Sequence, residues 1–215
     1  LWLEKPEDLA GLSPDFVDAA AALAASHGRK GQYAVGLSRG QVETFLTSST
    51  RADLRDKLLT AFLARGENGG ENDNRAIMAE TLALRDERAR LLGYANYAHY
   101  KLDDTMAETP EAVRDLLEKM WSAGRKAAER EAQALAHLAA QEGQNGTFRK
   151  ADWRHYAEKL RARDYAINEQ ELRPYFTLSR MIEAAFYVAS RLFGLTFEER
   201  RDLPLYNRQV RAFDV

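Results

Sequence analysis

The 215-residue chain contains no cysteine. Disulfide bridges, thiol nucleophiles and cysteine-based metal sites are therefore excluded, and a reducing cytoplasm suits it. It also has no excess of either charge: 31 Lys and Arg stand against 33 Asp and Glu, for a net charge of -2. A general nucleic-acid binder needs a cationic surplus to neutralise phosphates, so a nucleic-acid partner is not expected. No apolar run approaches the ~20 residues needed to span a bilayer, and a membrane is not expected either. The opening "LWLEKPEDLAGL" has neither a basic n-region nor a long apolar h-region, and so does not read as a secretory signal. It also has no initiator Met, from which we expect the natural N-terminus to lie upstream. No Pro/Ser/Gly-rich linker, internal repeat or low-complexity tract divides the sequence.

Hydrophobic residues make up 45% and charged residues 30%, which predicts a buried core under a well-solvated surface. The patterning is mostly helical. In "LSPDFVDAAAALAASHG", Ser13 is placed to cap a helix, Pro14 to begin it and Gly28 to end it. "QYAVGLS", Gln32 to Ser38, is short, apolar and bounded by turn residues, which predicts a strand. Leu54, Leu58 and Phe62 recur at helical spacing, with Gly66 as the stop. After the polar loop "ENGGENDN", Asn72 or Asp73 is expected to cap a helix running to Gly93.

The longest periodic segment starts with Thr109 as cap and Pro110 as first residue, and extends to about Gln141. Val113, Leu116, Leu117, Met120, Leu135 and Leu138 form its apolar stripe. Such a helix is ~50 Å long at about 1.5 Å per residue, and helices of that length usually pack on a partner. "GQNGT" is the expected turn, and the segment from Asp152 the returning helix. Asn168 and Glu171 have capping-box spacing, and Pro174 should end that short helix by forcing Arg173 to be extended. "TLSRMIEAAFYVASRLFG" is amphipathic, with Met181, Ile182, Ala185, Phe186, Ala189, Leu192 and Phe193 on one face. The remainder, "LTFEERRDLPLYNRQVRAFDV", alternates and contains Pro204, so it reads as short strands with an edge or bulge.

Chemistry is sparse. The four histidines are His27, His99, His137 and His155, and four positions on from them stand Gly31, Asp103, Gln141 and Lys159. Two His at i and i+4 would let both rings face one metal, as in His-Glu-x-x-His, and that motif does not occur. His99 and Asp103 share a helical face, which predicts a solvated hydrogen bond or ion pair. Asp152, His155 and Glu158 follow i, i+3, i+6 spacing, but a single Asp-x-x-His is half of a di-metal bundle site. Capping plus surface pairing is the reading those three residues support, with Asp152 favoured in a first helical turn. No Gly-x-Ser-x-Gly, Gly-x-Gly-x-x-Gly or P-loop occurs; "LSRG" is too short for a nucleophile elbow. Trp153, Tyr156 and Tyr165 are aromatic enough to stack on bases. Trp153, Tyr156 and Leu160, however, have helix-face spacing, which predicts core packing. Arg161 and Arg163 are expected in solvated ion pairs.

Long collinear segments carry more information than any of these motifs. "RADLRDKLLTAFLARGENGGENDNRAIMAETLALRDERARLLGYANYAHYKLDDTMAETPEAV" resembles the central region of the M3 family of zinc oligopeptidases. "WRHYAEKLRARDYAINEQELRPYFTLSRMIEAAFYVASRLFGLTFEER" resembles the region just upstream of that family's metal-binding segment. The likeness runs in order from about Asp8 to Val215, and "RGENGGENDNRAI" and "LDDTMAETPEAV" are most similar to the bacterial peptidyl-dipeptidase branch. The oligopeptidase A and thimet branches are the nearby alternatives.

The resemblance implies a mainly α, neurolysin-like helical shell with a few short strands, two lobes and a deep groove that admits short peptides. It implies a zinc ion held by a His-Glu-x-x-His helix and a further Glu, with zinc-bound water attacking the peptide carbonyl. Those segments are not in this sequence, so no catalytic, metal or substrate-binding residue carries over. Two departures stand out. The family often has Trp-Asp before Tyr-Ala-Glu-Lys, where this chain has Asp152-Trp153, and often His-Pro-Asp-Val where it has "NRQV", Asn207 to Val210. Residues 1–215 are thus expected to be a single partial domain of a cytoplasmic metallopeptidase, inactive alone and without zinc of its own. Its expected partners are the remainder of the enzyme and, through exposed apolar surface, other copies of itself. A non-catalytic helical interaction module on the same scaffold is the alternative from another class.

Overall fold

The computed structural model describes residues 1–144, 146–166 and 169–215. These divide into two compact units, Leu1–Asp164 and Tyr165–Val215. The chain is mainly α, with strands of two or three residues among the described residues.

The first unit begins with strand β1 (Trp2–Leu3), which pairs antiparallel with β2 (Tyr33–Ala34) in the register Trp2↔Ala34 and Leu3↔Tyr33. The strand expected over Gln32–Ser38 is thus shorter, because Gly36 and the helix start at Ser38 draw the chain out of the ladder. Between the strands lies α1 (Pro14–Ser26), where the Ser13 side chain accepts from the Phe16 amide and Pro14 opens the helix. Next come α2 (Arg39–Ser48) and α3 (Ala52–Leu63). Helix α2 has little sequence periodicity to announce it, yet it supplies Val42, Phe45 and Leu46 to the core. These pack with Leu3, Val35, Leu58 and Ala151, and Leu54 and Phe62 close the edge of the cluster. Gly11 (φ +86) permits the close approach of this region to the end of α2: a Cβ there would sit 2.3 Å from the Ser48 carbonyl oxygen. Any other residue would have to push that backbone away.

Helix α4 (Arg75–Leu91) follows the polar loop and ends before Gly93 (φ +85), as expected. Its N-cap position is Asn74 and neither Asn72 nor Asp73. Asp73 still serves the helix start, since its Oδ1 accepts from the Arg75 amide at 3.0 Å. After α5 (Tyr97–Leu102) comes α6 (Pro110–Gln141), with the Thr109 hydroxyl accepting from the Ala112 amide. At 32 residues α6 is the long helix the periodicity predicts. Its C-terminal half packs on α7 (Trp153–Tyr165) through Leu135, Ala139 and Tyr156, flanked by Leu138, Phe148, Trp153 and Leu160. The aromatic face at Trp153, Tyr156 and Leu160 is therefore core, while Tyr165 is exposed.

The second unit contains α8 (Glu169–Leu172), α9 (Leu178–Phe193), β3 (Glu198–Arg200) and β4 (Ala212–Asp214). The proposed Asn168–Glu171 capping box involves Asn168, which lies outside the described residues. Arg173 is not extended before Pro174: both belong to a 3-10 turn, Arg173–Tyr175, that continues from α8. Gly194 (φ +70) ends α9 in the left-handed conformation. The short strands pair antiparallel, Glu199 opposite Phe213. Phe186 of α9 stacks on Phe197 with ring centroids 4.2 Å apart, and meets Phe213 edge-on at 4.8 Å. All three rings are half-buried, and they hold α9 against the strand pair.

Candidate functional site

Asp152, His155 and Glu158 are the residues whose types and spacing most suggest chemistry, and the structure sends their side chains to three different places. Asp152 closes a short 3-10 turn (Lys150–Asp152) that leads into α7 and packs against α3. Its carboxylate is completely buried, at 0% exposure, against the 2%-exposed Arg55 of α3. This corrects the expectation of surface pairing: helical spacing shows which residues share a face, but not that the face is turned inward.

The buried carboxylate is fully engaged. Its Oδ1 accepts from Arg55 Nη2 at 2.6 Å and Arg149 Nη2 at 3.1 Å. Oδ2 accepts from Arg149 Nε at 2.9 Å and Gln144 Nε2 at 3.0 Å. Four donors match the roughly four lone-pair positions of a carboxylate. Burial pushes its pKa up, but hydrogen bonds from Arg149 and Arg55 and their charges outweigh it, holding the group ionised below the ordinary aspartate value. Arg55 also donates through Nη1 to the Ser49 carbonyl at 2.6 Å. One node therefore ties the end of α2, the middle of α3, the turn after α6 and the start of α7. It has no free lone pair to take a substrate proton.

His155, one turn further along α7, is buried and donates through Nδ1 to the Thr47 carbonyl at 3.1 Å. A carbonyl only accepts, so the neutral ring carries its proton on Nδ1. Burial and then the Arg55 charge lower its pKa, against a smaller opposing pull from the Thr47 bond. Glu158 points elsewhere and is gripped by Arg161 through contacts of 2.8 and 2.6 Å. Arg163 pairs with Asp164, as expected for a solvated cation.

The remaining pair does not form. His99 Nδ1 turns back to Asn96 Oδ1 at 3.0 Å, and Asp103 accepts from the Tyr94 hydroxyl at 2.9 Å. The Asn96 cap and the Tyr94–Tyr100 ring contact fix these side chains before the i, i+4 attraction can act. A second buried carboxylate, Asp8, was not visible from the sequence as a site. It accepts from the Glu4 and Lys5 amides at 3.0 and 3.1 Å and pairs with Arg51. Its Lys-Pro-Glu-Asp setting was the available signal, since a carboxylate three residues into a turn can reach back to free amides.

Among the described residues no group of three or more His, Asp or Glu side chains could hold a metal ion. The donors that come nearest are already committed, Asp152 to two guanidiniums, His155 to a carbonyl and Glu158 to Arg161. No helix among the described residues is long and apolar enough to cross a membrane.

Geometry of this kind defines a helical scaffold braced by a buried ionic node. The sequence comparisons say which scaffold: residues 45–215 match the model of peptidase family M3, and the chain belongs to that family. It is similar to the dipeptidyl carboxypeptidase of Salmonella typhimurium, 34% identical over 208 residues, covering 96% of this chain and 31% of that protein. Similarity to oligopeptidase A of the same organism is 34% over 212 residues, covering 97% and 31%. The probable cytosolic oligopeptidase A of Arabidopsis thaliana is 33% identical over 218 residues, again covering 97% and 31%. The chain thus spans about a third of the length of these relatives. A zinc ion, which resemblance to this family implies, does not fit the residues described above.

Proposed function

We propose that this chain is the central scaffold and groove wall of an M3-type zinc metallopeptidase that hydrolyses short peptides, releasing dipeptides from their C-termini. Residues 1–215 are then a single partial domain, and the zinc ligands belong to segments outside it. The observation that carries this proposal is collinear: 96% of the chain matches a protein named dipeptidyl carboxypeptidase. The commitment of Asp152, His155 and Glu158 to internal bonds agrees with a supporting role. The parent enzyme is read as cytoplasmic, in keeping with the relative named cytosolic, with no nucleic acid or membrane among its partners.

Oligopeptidase A is the second reading, favoured by an identity of 34%, equal to that of the carboxypeptidase. The two readings differ in what they need from the substrate, because release of a C-terminal dipeptide requires a free terminal carboxylate. An enzyme restored by extending the chain into His-Glu-x-x-His should cleave an N-blocked tetrapeptide and leave its C-terminal amide intact. Cleavage of the amide at a similar rate would move the assignment to the oligopeptidase branch. The 215-residue chain alone, supplied with zinc, should cleave neither. Turnover by it that a chelator abolishes would overturn the scaffold role. A reading frame that stops at Val215 would favour the non-catalytic interaction module.

A further inference from the structure

His155 is a buried titratable group to which the proposed peptidase scaffold gives no part. Its Nδ1 bond to Thr47 joins α7 to the last turn of α2 across 108 residues of sequence. Every element packed around it brings charge that is already spoken for. From α3 comes Arg55 and from the turn before α7 comes Arg149, two guanidiniums sharing the single Asp152 carboxylate. On α2, Glu43 is divided between Arg39 and Arg154. At the end of α6, Glu142 is paired with Lys159, which lies one turn beyond His155 on its own helix. The neighbouring Tyr156 ring stands edge-on to the imidazole at 5.2 Å and offers no charge.

A proton on His155 would therefore add a positive charge beside the buried Arg55, whose Asp152 partner is already shared with the half-exposed Arg149. The Thr47 carbonyl and the C-terminal end of α2 favour a cation there. A single carbonyl does not replace the hydration lost on burial, and the Arg55 guanidinium repels. We propose that His155 is a proton-operated latch that clamps α7 to α2 when neutral and loosens that docking when protonated. The sign follows from linkage: the open form binds the proton more tightly than the closed form, so closure is complete above about pH 6.5 and weakens as pH falls below it.

Hydrogen exchange of the full 215-residue chain, corrected for intrinsic rates, tests this at pH 7.5 and 5.5. Protection of the α7 amides should drop at the lower pH, by up to about tenfold for each pH unit between 6.5 and the folded His155 value. Amides around Leu58 in α3 should keep theirs. His155→Gln retains an N–H donor for Thr47 and cannot titrate, so its α7 protection should be the same at both pH values. His137→Gln, on an exposed face, should behave as the parent chain does. Equal protection of α7 at both pH values in the parent chain would overturn the latch, as would an unchanged pH response in His155→Gln. Should His155→Gln fail to fold, the imidazole of the parent chain decides by NMR titration: a His155 pKa below 6.5 supports the latch and one at or above 6.5 overturns it.

Discussion

In α3, Leu58 is completely buried and Leu54 and Phe62 pack at the edge of the same cluster. In α9, whose apolar face is at least as well marked, Leu192 is 69% exposed and Phe193 73%, with Leu178, Met181 and Val188 also exposed. The same contrast runs along α6. Leu135 and Ala139 are buried against α7, whereas Leu116, Leu117, Met120 and Trp121 stay exposed toward the N-terminal end. Apolar spacing determines which face of a helix seeks cover. It does not determine whether the cover is supplied by this chain. The buried set is secured by an ionic node as well as by packing, and the exposed set by neither.

The largest expected effect separates these two regions at the node. Asp152→Asn keeps the shape of the side chain but leaves Arg55 an uncompensated charge with 2% exposure. Breaking a buried pair from one side typically costs about 3–5 kcal/mol. Urea denaturation at pH 7 should show a loss of that order, and a loss below about 1 kcal/mol would mean that the node does not brace the core. The carboxylate also gives an acid signature. Its folded pKa lies below the ordinary aspartate value, so its contribution is present above about pH 4 and is lost as pH falls through the folded value. Asp152→Asn should lack that component.

A matched pair of apolar substitutions comes next. Leu58→Ala opens space in a filled cluster and should cost about 3 kcal/mol. Leu192→Gln in α9 should change unfolding free energy by less than about 0.5 kcal/mol, as for other exposed positions. If the exposed faces cover one another between copies, Leu192→Gln combined with Phe193→Gln should lower the apparent mass measured by light scattering at high concentration. A parent chain that remains strictly monomeric there would break that half of the comparison.

These contrasts also explain what could be read in the sequence. Helix limits were legible where a local cap sets them: Ser13 with Pro14, Thr109 with Pro110, and Gly93 each act within one turn of the chain. The aromatic face of α7 was legible because Trp153, Tyr156 and Leu160 repeat at helical spacing. The depth of Asp152 was not, because Arg55 lies 97 residues away and only tertiary packing brings them together. Helix α2 was missed for a related reason. Val42, Phe45 and Leu46 are too few to make a periodic signal, and their burial depends on Leu3, Val35 and Leu58 arriving from elsewhere. The failed His99–Asp103 pair shows the reverse case, where nearer partners, Asn96 and Tyr94, took both groups first.

The smallest effect tests the solvated end of α6, where local bonds have the least help from packing. The Thr109 hydroxyl accepts from the Ala112 amide at 3.2 Å, and replacing such a cap by alanine costs about 1 kcal/mol. In a helix half whose large apolar side chains are exposed, that loss should appear as fraying confined to the first turns. Thr109→Ala should therefore raise hydrogen exchange of the amides from Ala112 to about Leu117 roughly fivefold, as about 1 kcal/mol implies, while amides near Leu135 keep their rates. Equal acceleration along the whole of α6 would mean that the two halves open as one unit, and the contrast between covered and uncovered helix would then be a matter of surface alone.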